Sequence, residues 1–457
     1  MNMRGILGFI LSALTVLCAH AADLSVGYSE QIVNLPEKIS LAGYIQRRLV
    51  KTSAASYSRY FRASTGQMNE SLAKTIVIDD GRQLVFMSTL EVIAMEPELR
   101  AHVENRLRQL INRPLEVNLF ATHTHSGPGG YVKVKLWQQL ATDVYFEDVF
   151  NQFAESIVES AMNAYNSLEK VHMSYVTGTV NDFIYNRRNG AFTNPKLHIV
   201  KFLNSKNNPV VTIINFPIHG TALGPDNLLV SGDLPAMVEN KMVERTKSPF
   251  MFFSGAAGDI GPKIEDSMPT SFSTTIASFP SMENIEVFTT RLTDKINVFW
   301  KQTNLVETKS VISKSFNIEL PPAQADLGSC MRSILPRPFQ WVANFFFRVK
   351  LPKDLNRPME VNMIHLSPLT FYMIPGEPIS EVGAQIEKFS LDNKFENPMV
   401  LALANSYFGY ILTDKEFARG GYETCNSFYG KTYGSLFLSG VQDAVNSFGL
   451  FVKSNRF

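Results

Sequence analysis

Two histidines separated by a single residue are the first place where this chain could do chemistry. His123 and His125 lie in Ala121-Thr122-His123-Thr124-His125-Ser126-Gly127-Pro128-Gly129-Gly130. If extended backbone persists through them, their side chains fall on one face and can converge on one object. Thr122, Thr124 and Ser126 supply hydroxyls able to fix imidazole tautomers, and the glycines allow close backbone approach. His219, in Pro217-Ile218-His219-Gly220-Thr221, is a further candidate ligand, and Glu377, in Pro375-Gly376-Glu377-Pro378, is a carboxylate in a rigid turn. Singly, each also reads as structural: a satisfied pair of histidines, a core or capping histidine, a solvated loop charge. Jointly, two His and one carboxylate are a common protein complement for catalytic zinc, which keeps a position open for water or substrate.

These residues need a scaffold that gathers distant segments. Short apolar runs at Leu84–Met87, Val117–Phe120, Val210–Phe216, Phe250–Phe253, Leu369–Ile374 and Val400–Leu403 read as strands. The second to fifth of them run directly into the polar turns that hold His123 and His125, His219, Gly258-Asp259 and Glu377, and the last leads through Ala404-Asn405 toward Tyr410. Between them, Glu96–Leu110 and Asn151–Leu168 carry apolar residues at helical spacing. Alternating strands and helices predict an α/β (mixed α+β) fold, one large domain with central β-sheets flanked by helices. Its active site is expected at the C-terminal ends of the strands, where loops of open sheets converge.

Composition narrows the rest. The chain has 457 residues, 45% hydrophobic and 19% charged, with 43 Lys+Arg against 42 Asp+Glu. It is therefore long and apolar enough for a substantial core, and it lacks the basic footprint of a nucleic-acid partner. Arg4, the apolar run Ile6–Leu17 and Ala19-His20-Ala21 form a secretory signal pattern with cleavage after Ala21. Export, secreted or periplasmic, is the expected localisation. The apolar run is about half the roughly 20 residues of a spanning helix. Beyond Cys18, only Cys330 and Cys425 remain, enough for one disulfide and too few for a cysteine zinc site. The stretch from Leu320 to Asn356 combines proline breaks with Phe339, Trp341 and Phe345–Phe347 beside Arg348 and Lys350. It reads as a hydrophobic lid or core helix, or as an element touching a membrane surface.

The chain also resembles the neutral, non-lysosomal ceramidases, zinc amidohydrolases that cleave the N-acyl bond of ceramide. The resemblance rests on Ala121 to Tyr131, Ile218-His219-Gly220-Thr221, Val230-Ser231-Gly232-Asp233, and Asn186-Arg187 before Asn194-Pro195. It continues through Gly258-Asp259-Ile260-Gly261-Pro262, Pro375-Gly376-Glu377, Asn405 to Tyr410, Tyr422-Glu423 and Tyr429-Gly430. It implies that Zn2+ is held by His123, His219, Glu377 and Tyr410. It further implies that His125, Arg187 and Tyr422 surround the reacting carbonyl and that Ser126, Asp259 and Gly261 line the substrate. Cleaving an unreactive amide calls for this set: a polarised carbonyl, an oxyanion donor in Arg187 or Tyr422, and a proton shuttle in His125. The expected partner is a lipid-like N-acyl substrate, with possible peripheral membrane contact.

Two departures stand out. Gly261 occupies the place of a family serine associated with activity, so no side chain there can bond the substrate. Residues 22–457 are expected to form the catalytic domain without the immunoglobulin-like domain that follows it in the family. A zinc hydrolase of another amide or an ester, or a non-catalytic zinc-containing lipid-binding protein, are the competing readings. A serine hydrolase using Ser254 or Ser231 lacks the GxSxG elbow, and a phosphate cradle at Gly127–Gly130 lacks a following GK[ST].

Overall fold

A computed structural model describes residues 24–266, 279–308, 310–326, 328 and 348–454. The signal pattern at 1–21, Cys330 and the aromatic cluster from Phe339 to Phe347 lie outside the described residues. Among the described residues, no helix is long and apolar enough to cross a membrane.

The apolar runs become strands buried on both faces, which is why their hydrophobic stretches are nearly continuous. The larger sheet contains β1 (Ser25–Ile32), β2 (Leu72–Asp79), β3 (Leu84–Leu90), β4 (Leu115–Ala121), β5 (Glu169–Thr179), β6 (Lys196–Asn204), β7 (Pro209–Phe216) and β8 (Phe250–Ser254). Their spatial order is β8-β7-β6-β5-β1-β2-β3-β4, with Asn304–Val306 added beside β5. A second sheet holds β9 (Ile312–Ile318), β10 (Met359–Leu366), β11 (Leu369–Ile374) and β12 (Asn397–Ala402) in sequential order.

Side chains alternate along each strand and sort into separate cores. Val85 and Met87 of β3, Met251 and Phe253 of β8, and Phe371 and Met373 of β11 share one core between the two sheets. Their neighbours point the other way: Leu84 and Phe86 join Leu99, Val103 and Phe153, while Phe250 and Phe252 join Leu234, Val238 and Leu292. The outer layers are α1 (Pro97–Leu110), α2 (Glu147–Asn166), α3 (Asp233–Thr246), α4 (Met282–Lys301), α5 (Ser380–Asp392) and α6 (Tyr433–Ser454). Both helices read from the sequence are present, the second starting four residues earlier than its apolar spacing announced. The architecture is the expected mixed α/β domain with central sheets flanked by helices.

Within the two sheets, three neighbouring pairs of the described strands run parallel: β3 with β4, β7 with β8, and β11 with β12. A parallel pair needs a crossover, and α1, α3 and α5 supply one each. Each unit sends loops off its strand C-termini. His123 follows β4, His219 follows β7, Glu377 follows β11 and Tyr410 follows β12, so all three units deliver residues to one end of the sandwich.

Candidate metal centre and cavity

His123, His219 and Glu377 each offer a ligand atom within 4.8 Å of the others, and all three are buried. The convergence of His123 and His125 has a different cause from the one expected. β4 ends at Ala121, and His123 takes a left-handed backbone with φ of 65°, which non-glycine residues seldom adopt. A sharp turn, and not continued strand, brings the two rings to 5.0 Å between centroids at 90°. The His123 loop also touches the His219 loop directly: a Cβ on Gly220 would lie 2.8 Å from the His123 carbonyl oxygen and 2.9 Å from Thr124 Cα. Only glycine permits that approach.

The ligand atoms are held in place by hydrogen bonds and close contacts. His123 Nδ1 lies 2.6 Å from the Ile93 carbonyl, which can only accept, so Nδ1 donates there and Nε2 is the nitrogen turned to the site. Nε2 of His123 and Nε2 of His219 stand 3.1 and 3.2 Å from the same oxygen, Oε2 of Glu377. Burial, then Arg187, pushes His219 down to about 4, which leaves its imidazole neutral. Burial would raise the Glu377 carboxyl, but His123 and His219 hold it well below the usual carboxylate range. Two imidazoles and a carboxylate gathered in a buried site are the donor set of a cation, so the residues fit a metal ion. Tyr410 stands beside them through a two-residue parallel pairing of Glu377 with Tyr410 and Pro378 with Ile411. Burial pushes its phenol up, while Arg187, which donates from Nη2 to the Tyr410 oxygen at 2.9 Å, pulls the other way.

His123 and Glu377 line a cavity of about 580 Å³, together with His125, Arg187, Gly261, Tyr410 and Tyr422. Apolar walls come from Ile93, Val132, Val134, Trp137 and Ile264. Both ring nitrogens of His125 are buried without a hydrogen-bond partner among the described residues. Burial, then His123 and His219, lowers its pKa well below the ordinary imidazole value. Arg187 is held by Glu423 at 2.9 Å from Nε and by the Gly258 carbonyl at 2.8 Å from Nη2. Those bonds leave Nη1 without a partner among the described residues. Tyr422 stands at the mouth, 41% exposed as a residue, with burial of its phenol pushing it up to about 12. Cys425 nearby is disulfide-bonded.

Two residues expected at the substrate lie elsewhere. Ser126 is fully buried behind the histidine loop and accepts from Asn227 Nδ2 at 3.0 Å. Asp259 is buried beside the cavity, where its carboxylate accepts from Asn186 Nδ2 and from the Ser380 backbone N–H, both at 2.7 Å. Neither lines the cavity: the Ser126 hydroxyl is taken by the Asn227 side chain, and the Asp259 carboxylate by Asn186 and Ser380. The Val230-Ser231-Gly232-Asp233 motif is likewise structural. Asp233 accepts from the backbone N–H groups of Ala222 and Leu223, and Thr124 donates to the Ser231 carbonyl at 2.7 Å.

Two further residues escaped the sequence reading. Tyr407 donates to Glu377 Oε1 at 2.6 Å, fixing the carboxylate oxygen that the histidines leave free. Arg47 is fully buried and donates to the carbonyls of Ala42, His125, Gly224, Pro225 and Asn227, tying the His125 loop to the loop beyond His219. Tyr407 could have been suspected from its place between Asn405 and Tyr410. Nothing in the local pattern around Gln46-Arg47-Arg48 marks Arg47.

A family model described as neutral/alkaline non-lysosomal ceramidase, N-terminal, matches residues 48–280. The neutral ceramidase of Pseudomonas aeruginosa is 26% identical over 277 residues, covering 55% of this chain and 41% of the relative. Neutral ceramidase B of Dictyostelium discoideum is 26% identical over 234 residues, covering 44% and 32% respectively. The chain thus spans under half the length of these curated relatives. The crystal structure of the Pseudomonas aeruginosa neutral ceramidase superposes with a TM-score of 0.73 at 18% identity, covering 93% of this chain and 75% of that one. A ceramidase complexed with C2 superposes at 0.75 with the same coverage. The family match contains His123, His125, Arg187, His219 and Gly261, and the fold match extends across the second sheet that brings in Glu377. By its sequence and by the architecture that gathers these loops, the chain belongs to the neutral/alkaline non-lysosomal ceramidase family.

Proposed function

We propose that this chain is a zinc-dependent amidohydrolase cleaving the N-acyl bond of ceramide or a related N-acyl lipid. The observation that carries the reading is the convergence of His123, His219 and Glu377 within 4.8 Å beside a largely apolar cavity. Zinc bound by these three residues and Tyr410 would supply Lewis acidity toward the amide carbonyl and lower the pKa of a water. The chain's own groups do the rest. Arg187, ionised and fixed through Nε and Nη2, turns Nη1 toward an acyl oxygen that gains negative charge. His125, neutral and without a hydrogen-bond partner among the described residues, takes a proton and returns it to the leaving amine, which needs one to depart. Tyr422 closes the polar side at the mouth. The apolar walls hold an acyl or sphingoid chain and exclude water, which strengthens each polar contact.

Membrane contact and export are part of the same proposal. Ile45 and Leu140 line the cavity and are 48% and 37% exposed, an apolar rim suited to receiving a lipid from a surface. The pattern at 1–21 supports secretion or a periplasmic location.

The test is metal analysis of purified protein coupled to hydrolysis of ceramides and other N-acyl amines before and after chelation. Bound zinc, turnover, and loss of turnover on chelation are expected. His125→Ala should keep the zinc and lose about a hundredfold or more in kcat. A zinc-free protein that still cleaves its substrate would overturn the mechanism, and zinc without turnover would favour a lipid-binding role.

A further inference from the structure

Gly261 leaves one wall of the cavity without a side chain, and the residue facing it fills the space. Ile260–Pro262 pairs antiparallel with Ile184–Asn186, and the register sets Gly261 opposite Tyr185. Directly paired residues project to the same face of a ribbon. A Cβ on Gly261 would lie 2.9 Å from Cε1, Cζ and Oη of Tyr185, so the edge of the phenol occupies the volume a residue-261 side chain would need. Both residues line the cavity, as does Arg187 two positions on. No hydrogen bond among the described residues engages the Tyr185 hydroxyl. Burial raises the phenol's pKa, against a smaller opposing pull from Arg187, so it keeps its proton and remains a donor.

The ribbon itself is rigidly mounted. Arg187 N–H donates to the Asp259 carbonyl at 2.8 Å, and the Asp259 carboxylate joins Asn186 to Ser380 at the start of α5. Tyr185 is therefore presented on a fixed two-stranded platform, in register with the glycine that makes room for it.

We propose that Tyr185 is the specificity-determining hydroxyl of this wall, donating a hydrogen bond to a substrate oxygen adjacent to the scissile amide, a place that residue 261 cannot serve. The proposal rests on the amidohydrolase reading above. It also changes the expectation for Gly261: adding a serine there does not restore a missing contact, because the new side chain collides with Tyr185.

Five proteins decide the matter: wild type, Tyr185→Phe, Gly261→Ser, Tyr185→Ala, and Tyr185→Ala combined with Gly261→Ser. Each is assayed for turnover of a short-chain ceramide, for binding of a non-hydrolysable urea analogue of that ceramide, and for zinc content and thermal melting. Tyr185→Phe should weaken analogue binding and kcat/KM by about tenfold, with melting and zinc content unchanged. Gly261→Ser alone should give no gain, whereas Gly261→Ser in the Tyr185→Ala background should recover at least about threefold in both readouts, a fraction of one hydrogen bond. Tyr185→Phe within twofold of wild type in both readouts, or no recovery in the double variant, overturns the proposal. If wild type binds the analogue but cleaves nothing, the amidohydrolase reading falls while the binding series still decides Tyr185. If wild type does not bind the analogue, both fall.

Discussion

The two sides of the cavity are built to different standards. On the metal side, most of the donor atoms have a dedicated support: Ile93 for His123, Tyr407 for Glu377, Arg187 for Tyr410, with Arg47 and Asp233 bracing the loops behind them. On the opposite wall, the ribbon of Tyr185 and Gly261 is anchored through its backbone and Asp259, while the hydroxyl that faces the cavity has no partner among the described residues. The proposed reacting centre is braced at several donors, whereas the hydroxyl on the proposed recognition wall is not. Chemistry tolerates little displacement of its ligands, whereas a wall that only selects substrates can exchange a side chain on one strand for one on its neighbour.

The largest effect should come from breaking the metal side outright. His219→Ala removes one of three converging ligands and should abolish stoichiometric zinc and lower turnover by about a thousandfold or more, read by metal analysis and hydrolysis rate. Tyr407→Phe is the milder version, since it leaves all ligands and frees only Glu377 Oε1. It should weaken zinc affinity by about ten- to a hundredfold in a chelator competition, with little change in turnover at saturating zinc. On the wall, Asp259→Asn keeps the shape but weakens the clamp between Asn186 and Ser380. A drop of about threefold to tenfold in kcat/KM with full zinc content would mark the ribbon as a substrate element. Loss of zinc in that variant would show that the two sides are one unit.

The smallest effect concerns Glu91, which lies behind the metal side at the end of β3. Burial, opposed by Lys74, raises its carboxyl from an ordinary 4.5 to about 8. A carboxyl raised on folding binds more protons in the native than in the unfolded chain between those values, so it costs stability progressively as pH rises through that interval. Glu91→Gln removes the titration and keeps the shape and the contact with Asn69. Its melting temperature should therefore rise relative to wild type between pH 5 and pH 8, by a few degrees. An unchanged difference across that range would show that Glu91 is not protonated in the fold.

Much of this arrangement was legible in the linear sequence, for identifiable reasons. Strands buried on both faces must be continuous apolar runs, so their ends and the polar turns after them could be read directly. The placement of His123, His219, Glu377 and Tyr410 after strand ends followed from that. The geometry inside the turns did not follow: the left-handed backbone at His123 depends on the contacts of its loop with Gly220 and Ile93, far away in sequence. Arg47 was invisible because its acceptors are backbone carbonyls of other loops, which have no sequence signature. Ser126 and Asp259 were misplaced for the converse reason. A short polar side chain next to a reactive residue has the same composition whether it faces substrate or bonds the backbone behind it.

The three crossover units have one more consequence. Each contributes a ligand from a different third of the chain, so an ion bound to His123, His219 and Glu377 would act as a reversible cross-link between segments that share no covalent neighbourhood. Unlike a covalent cross-link, such a tie exists only while the chain is folded, so it acts by stabilising the native state. Occupancy would raise resistance to thermal unfolding in proportion to the logarithm of free metal. Partial opening of any one unit, by heat or by a protease, would release the ion. The proposed metal centre would then double as the latch that reports whether the whole sandwich is shut.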